Sequence, residues 1–226
     1  MQPLRDFVFD TSCFACGTPL KEGESRVCVR CWDSMTRVGE SDYTVSILKQ
    51  RFADGGVIDD LITLFYFEKG KVLQQLAHSL KYEEITVFGF ELGVQLSEQL
   101  GSRKIDAVIP VPLNRRKERE RGYNQSDYIA QGVASVLRKP VLNSVVRRVK
   151  YTVTQTRLNA EQRKENMSDA FEIAQEELVK GKRILLVDDV ITTGSTIQEV
   201  AKVLRHAGAA SVTAGSAGLA KLGEDV

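Results

Sequence analysis

A chain of 226 residues, 42% hydrophobic and 27% charged, has ordinary globular composition and enough apolar material for one large domain or a domain with an appendage. Its 31 lysines and arginines nearly balance 30 aspartates and glutamates, a net charge of +1, so any charge-based recognition must come from local clusters. The segment Met1–Asp10 lacks the apolar run of a secretory leader and no stretch approaches the ~20 apolar residues of a membrane span, so a cytoplasmic protein with no membrane insertion is expected.

In chain order, the cysteines come first. All four fall in the first 31 residues, as Cys13-x-x-Cys16 and Cys28-x-x-Cys31 with 11 residues between the pairs. Each pair makes a knuckle that aims two thiolates at one point, and two knuckles suit a tetrahedral zinc site. Two disulfides are the alternative, which a reducing compartment disfavours. A thioredoxin-like motif would need only one pair, at a helix start. Four thiolates leave no open coordination position, so the metal is expected to be structural. A zinc module over 1–45, too small to bury its own core, would then precede a larger domain over 46–226.

Residues 42–60 read as a polar connector with some helix, carrying Gly55-Gly56. Leu61–Phe67 is strand-like, and Val72, Leu73, Leu76 and Leu80 recur at helical spacing as far as Tyr82. His78 lies off that stripe, as a surface residue would. Further helices are expected over 88–100 and over 125–137, the latter with Ile129, Val133 and Val136 on one face. Strands are expected at Ile105–Val111, Val141–Val149, Ala170–Ile173 and Ser211–Gly215. Strands alternating with helices indicate an α/β fold, doubly wound on a mainly parallel sheet, in which ligands bind beyond the carboxyl ends of the strands.

The most informative stretch is Arg183-Ile-Leu-Leu-Val-Asp-Asp-Val-Ile-Thr-Thr-Gly-Ser-Thr196. A buried strand ends in Asp188 and Asp189, and a loop of Thr192, Thr193, Gly194, Ser195 and Thr196 opens a helix over Ile197–Ala207. His206, near that helix's end, complements its dipole. A ribose carrying a 5′-phosphate needs such an arrangement. Carboxylates accept hydrogen bonds from vicinal hydroxyls, while loop amides and the positive helix end receive the phosphate. An ordinary capped strand-to-helix turn is the plainer alternative, but capping needs one hydroxyl, not four around a glycine. Neither a dinucleotide fingerprint nor a P-loop is present.

This segment resembles the phosphoribosyl-diphosphate (PRPP) loop of type I phosphoribosyltransferases. The resemblance implies Asp188 and Asp189 on the ribose, with Asp189 also steadying charge on the reacting carbon. It implies Ile191, Thr192, Thr193, Gly194, Ser195 and Thr196 around the 5′-phosphate, and Mg²⁺ accompanying PRPP. Pyrophosphate would need amides and cations at the end of another strand. There the run Leu113-Asn114-Arg115-Arg116-Lys117-Glu118-Arg119-Glu120-Arg121 carries a net three positive charges. A solvated surface loop is the alternative. A third basic region (Arg147, Arg148, Lys150, Arg157, Arg163 and Lys164, with Gln155, Asn159 and Asn166) has few apolar anchors and reads as a mobile loop that would close over PRPP.

The four-cysteine module, Val-Pro-Leu-Asn-Arg-Arg, Arg-Gly-Tyr-Asn-Gln, then Gln155, Arg163, Asn166, Phe171 and the PRPP loop together resemble the ComF family of competence proteins across nearly the whole chain; Lys81-Tyr82 fits as well. That resemblance implies a phosphoribosyltransferase fold and a role in natural competence, in handling incoming single-stranded DNA with other competence-machinery proteins. Two kinds of function remain open. One is an enzyme using Asp188 and Asp189 with Arg115 and Arg116, in competence or in nucleotide synthesis or salvage. The other is a non-catalytic PRPP-binding protein or PRPP-sensing regulator whose arginine-rich loops hold single-stranded DNA, with Tyr123 or Tyr151 stacking a base. The stretch Ala214–Ala220 offers no evident side chain to read an acceptor base.

Overall fold

The computed structural model describes residues 12–79, 86–113, 119–120, 122–149 and 170–221. The expectations placed on Lys81, Tyr82, Asn114, Arg115, Arg116, Lys117, Glu118, Arg121, Lys150, Tyr151, Gln155, Arg157, Asn159, Arg163, Lys164 and Asn166 lie outside the described residues.

The described residues begin with the two cysteine knuckles and a short helix, α1 (Val29–Asp33). Residues 42–60, expected to be mostly connector, instead form α2 (Tyr43–Gly55). Asp42 caps it by accepting from the Thr44 N–H at 2.8 Å, Val45, Leu48 and Phe52 supply a buried stripe, and Gly56 ends it at φ 64°. Then come β1 (Asp60–Tyr66), α3 (Val72–Ser79), α4 (Thr86–Glu98), β2 (Ala107–Pro110) and α5 (Gln125–Leu137). A hairpin follows, β3 (Val146–Arg148) with β4 (Phe171–Ile173), and the chain continues through β5 (Arg183–Ile191), α6 (Ser195–His206) and β6 (Ser211–Leu219).

The main sheet has the order β1-β6-β5-β2, with every pairing parallel. Alternation along β5 sends Leu185 and Val187 to one face and Ile184 and Leu186 to the other, and all four are fully buried. Such strands need cover on both sides. On the first face lie α3, α4, α5 and the cysteine knuckles; on the second lie α2, α6 and the β3–β4 hairpin. The architecture is therefore doubly wound, as its alternating strands and helices indicate.

Both sheet edges are covered. Residues 36–38 run antiparallel along β1, with Val38 N–H on the Leu64 carbonyl and Tyr66 N–H on the Thr36 carbonyl. The strand expected over Val141–Val149 splits in two: Val141 bridges β2 at Val108, and only Val146–Arg148 continues as strand. Arg147 and Arg148, expected in a mobile loop, thus belong to a hairpin, where Arg148 lies 5.3 Å from the Phe171 ring centroid. Helices α4 and α5 touch backbone to backbone. A Cβ on Gly93 would lie 2.1 Å from the Ile129 carbonyl oxygen, so only glycine permits that crossing. Ile129 and Val133 are buried there, whereas Val136 is 51% exposed.

The cysteine segment is built into this body. Trp32 sits 5.2 Å from Phe88 and 6.1 Å from Phe65, ring centroid to centroid, and Cys13, Cys28 and Cys31 share one core with Phe65, Phe88 and Leu92.

Candidate functional site

The parallel register sets Pro110 beside Val187, and the Val111 N–H bonds the Val187 carbonyl at 2.8 Å. The carboxyl ends of β2 and β5 are therefore neighbours, and whatever leaves β2 stands beside the acidic pair. Asp188 accepts from the Asp189 N–H at 3.0 Å and from the Ser126 hydroxyl at 3.2 Å, and Asp189 accepts from the Val190 N–H at 2.7 Å. Burial first, and then the negative charge of Asp189, push the Asp188 carboxyl well above the usual range. Arg148 feels the opposite influence: burial lowers its pKa, and the charge of Asp188 partly restores it.

After β5 the chain turns through Ile191, which is buried, and the exposed Thr192 and Thr193 into Gly194 and the first turn of α6, where Ser195 and Thr196 stand. Gly194 has φ 76°, and a Cβ there would meet the Phe52 ring at 2.8 Å. The Thr193 and Ser195 hydroxyls lie 2.9 Å apart, and a shallow cavity of about 30 Å³ is lined by Asp188, Val190, Ile191 and residues 192–197. Gly194→Ala is expected to cost about 1–2 kcal/mol from the left-handed backbone alone. A phosphate held by this loop would also bind more weakly, because the loop is pushed off Phe52; thermal unfolding and calorimetry with ribose 5-phosphate check both.

Leu113 lines a larger polar cavity of about 210 Å³ beside β2, together with Pro112, Asn124, Asp127, Ser144, Arg147 and Arg148. Asn124 fixes its rim, donating to the Val111 carbonyl and to Asp127, both at 3.0 Å. Tyr123 meets Tyr128 edge-on at 5.7 Å and lines an apolar pocket with Phe88, Leu92 and Asp189.

Ser126, Arg51 and Phe52 are site neighbours that sequence reasoning missed. Ser126 follows the Arg-Gly-Tyr-Asn-Gln run directly, and that is the one local signal available for it. Arg51 and Phe52 lie about 140 residues before the loop they touch, in a segment expected to be connector.

The four cysteine sulfurs lie within 4.8 Å of one another, and the Cys16 and Cys28 sulfurs are 3.8 Å apart. Thiolates about 2.3 Å from a common tetrahedral centre are separated by about 3.8 Å, so the cluster has the size of a zinc site. The Thr18 hydroxyl, 2.9 Å from Cys16, and then the Thr18 backbone lower the Cys16 thiol to about 6; burial pushes Cys31 up. Four sulfurs gathered this closely are a donor set that a cation would complete.

Comparisons with known proteins give the family. The family model of the phosphoribosyl transferase domain matches residues 124–221. Competence protein F of Haemophilus influenzae is 35% identical over 195 residues, covering 85% of this chain and 73% of that protein. The DNA utilization protein YhgH of Salmonella typhimurium is 33% identical over 208 residues, covering 88% and 80% respectively. Among solved structures, adenine phosphoribosyltransferase of Thermoanaerobacter pseudethanolicus is 20% identical, with a TM-score of 0.40, covering 68% of this chain and 91% of its own.

Proposed function

The chain belongs to the competence protein F family, with a phosphoribosyltransferase domain, and on that premise we propose that it binds PRPP at the carboxyl ends of β5 and β2. The observation that carries this reading is the β5–α6 junction: two adjacent carboxylates, then a hydroxyl-rich turn whose glycine is forced into φ 76° over Phe52. Asp188 and Asp189 take the ribose hydroxyls, and Ile191, Thr192, Thr193, Gly194, Ser195 and Thr196 enclose the 5′-phosphate. The pyrophosphate falls to the strand β2 side, where Leu113 and the 210 Å³ cavity stand and Asn114, Arg115, Arg116 and Arg121 follow in sequence. Gln155 and Arg163 are proposed as further PRPP contacts. Mg²⁺ bound with PRPP would neutralise charge on the departing pyrophosphate.

A zinc ion on Cys13, Cys16, Cys28 and Cys31 completes the assignment, as the structural centre of a module over 1–45 ahead of a phosphoribosyltransferase domain over 46–226. The relatives' names, in competence and DNA utilization, support a role in handling incoming single-stranded DNA alongside other competence proteins, and the proposal places it in the cytoplasm. Among the described residues no helix is long and apolar enough to cross a membrane.

The test is incubation with PRPP and Mg²⁺, with and without candidate bases or single-stranded DNA, following pyrophosphate release. Release that depends on an acceptor establishes transfer. PRPP binding without release assigns a non-catalytic ligand role. In parallel, Asp189→Asn should weaken PRPP binding in calorimetry, and an unaltered affinity would remove Asp189 from the site.

A further inference from the structure

Helix α2 lies outside every motif of the proposed PRPP site, yet two consecutive residues of it hold the phosphate loop. Phe52 fills the space where a Gly194 side chain would be, 2.8 Å from the hypothetical Cβ, with Leu48 behind it at 3.7 Å. Arg51, one residue earlier, donates from a guanidinium nitrogen to the Thr193 carbonyl at 3.0 Å. That carbonyl belongs to the peptide joining Thr193 to Gly194, the peptide at the turn into α6. A trans peptide is planar, and its C=O and N–H point in opposite directions. Drawing the carbonyl toward α2 therefore turns the Gly194 N–H away from α2.

We propose that Arg51 is a positioning residue of this phosphate site: by holding the Thr193 carbonyl it aims the Gly194 N–H at a bound phosphate monoester, and it sets a positive charge at the rim of the loop. The inference rests on the reading of the β5–α6 loop as a 5′-phosphate site. It adds a role that loop hydroxyls and the helix end do not supply. Thr192 and Thr193 are exposed, and the Thr193 side chain meets the Ser195 hydroxyl at 2.9 Å and accepts from the Ser195 N–H at 3.4 Å, contacts that do not reach the Thr193 carbonyl. Glycine at position 194 gives this peptide more freedom than another residue would, since glycine adopts positive and negative φ about equally readily. An external donor on the carbonyl removes that freedom before the ligand arrives, so less ordering remains when phosphate binds. The guanidinium is permanently charged, which favours a dianionic phosphate at short range.

Arg51 is exposed, so its substitution should leave the fold intact, and thermal unfolding of the free protein provides the control. The probe is ribose 5-phosphate, measured by calorimetry on wild type, Arg51→Met and Arg51→Lys. Arg51→Met is expected to bind roughly tenfold more weakly with an unchanged melting temperature. Arg51→Lys should recover most of that loss, because a single donor reaches the Thr193 carbonyl and an ammonium supplies one with its charge. Equal affinity of wild type and Arg51→Met overturns the proposal. So does a loss in Arg51→Met that Arg51→Lys fails to reduce, since that marks a packing role. If wild type itself binds neither ribose 5-phosphate nor PRPP, the reading of the loop fails first and this role falls with it, an outcome visible in the wild-type arm alone.

Discussion

Replacing Cys28 with Ser is expected to lower the melting temperature by roughly 10 °C or more and to remove zinc from the purified protein. Zinc held by knuckles this short would supply folding free energy directly, and breaking the ligand set would forfeit most of it. The effect should not stop at the knuckles. Cys28 is 4% exposed and shares a core with Phe65, Phe88 and Leu92, and Trp32 next to the cluster stacks on two of those rings. Residues 36–38, which follow the cluster, cover the outer edge of β1 through Val38 and Tyr66. Loosening the cluster therefore frees an edge strand and part of one core face. For a chain of this size each kcal/mol shifts the midpoint by about 2–4 °C, so a loss of about 3 kcal/mol or more reaches the stated drop. Elemental analysis and thermal unfolding decide it together. Full zinc content in the variant would show that Cys28 is not a ligand. A normal midpoint with zinc gone would show that the knuckles fold apart from the body.

Legibility from sequence followed the distance over which each feature is encoded. The acidic pair, the hydroxyl loop and the cysteine knuckles are contiguous or nearly so, and each reads as a unit. The doubly wound arrangement was legible because β2 and β5 are short apolar runs bounded by polar turns, the pattern of strands buried on both faces. Helix α2 was harder: its stripe is only Val45, Leu48 and Phe52 amid polar residues, and its Asp42 cap is a single residue. Arg147 and Arg148 looked like part of a charged loop because the apolar partner that orders them, Phe171, comes more than 20 residues later. Contacts such as Arg51 to Thr193 and Ser126 to Asp188 cross 142 and 62 residues and exist only once the sheet order is set. No local pattern announces them.

Asp188→Asn is expected to act in opposite directions on stability and on ligand binding. In the free protein Asp188 carries an ionisation that its surroundings resist, through burial and through the adjacent Asp189. A carboxyl whose pKa is higher folded than unfolded binds more protons in the native state. Its contribution to stability is then fully present below the unfolded carboxylate value of about 4 and is lost as pH rises through the raised folded value. Asparagine removes the charge while keeping an oxygen where the Ser126 hydroxyl and the Asp189 N–H donate, and its amide can donate to Asp189. Near neutral pH the variant should therefore melt a few degrees above wild type, and its midpoint should fall less steeply than the wild type's as pH is raised from about 4. PRPP affinity, measured with Mg²⁺, should drop at least about tenfold if Asp188 takes the ribose hydroxyls as proposed, since a neutral amide would replace a carboxylate able to accept charge-assisted bonds. Strain held at a binding site and released by removing its function is the expected signature of a residue kept for its ligand. Parallel pH profiles for the two proteins would show that Asp188 carries no such cost, and an unchanged PRPP affinity would take it out of the ribose site.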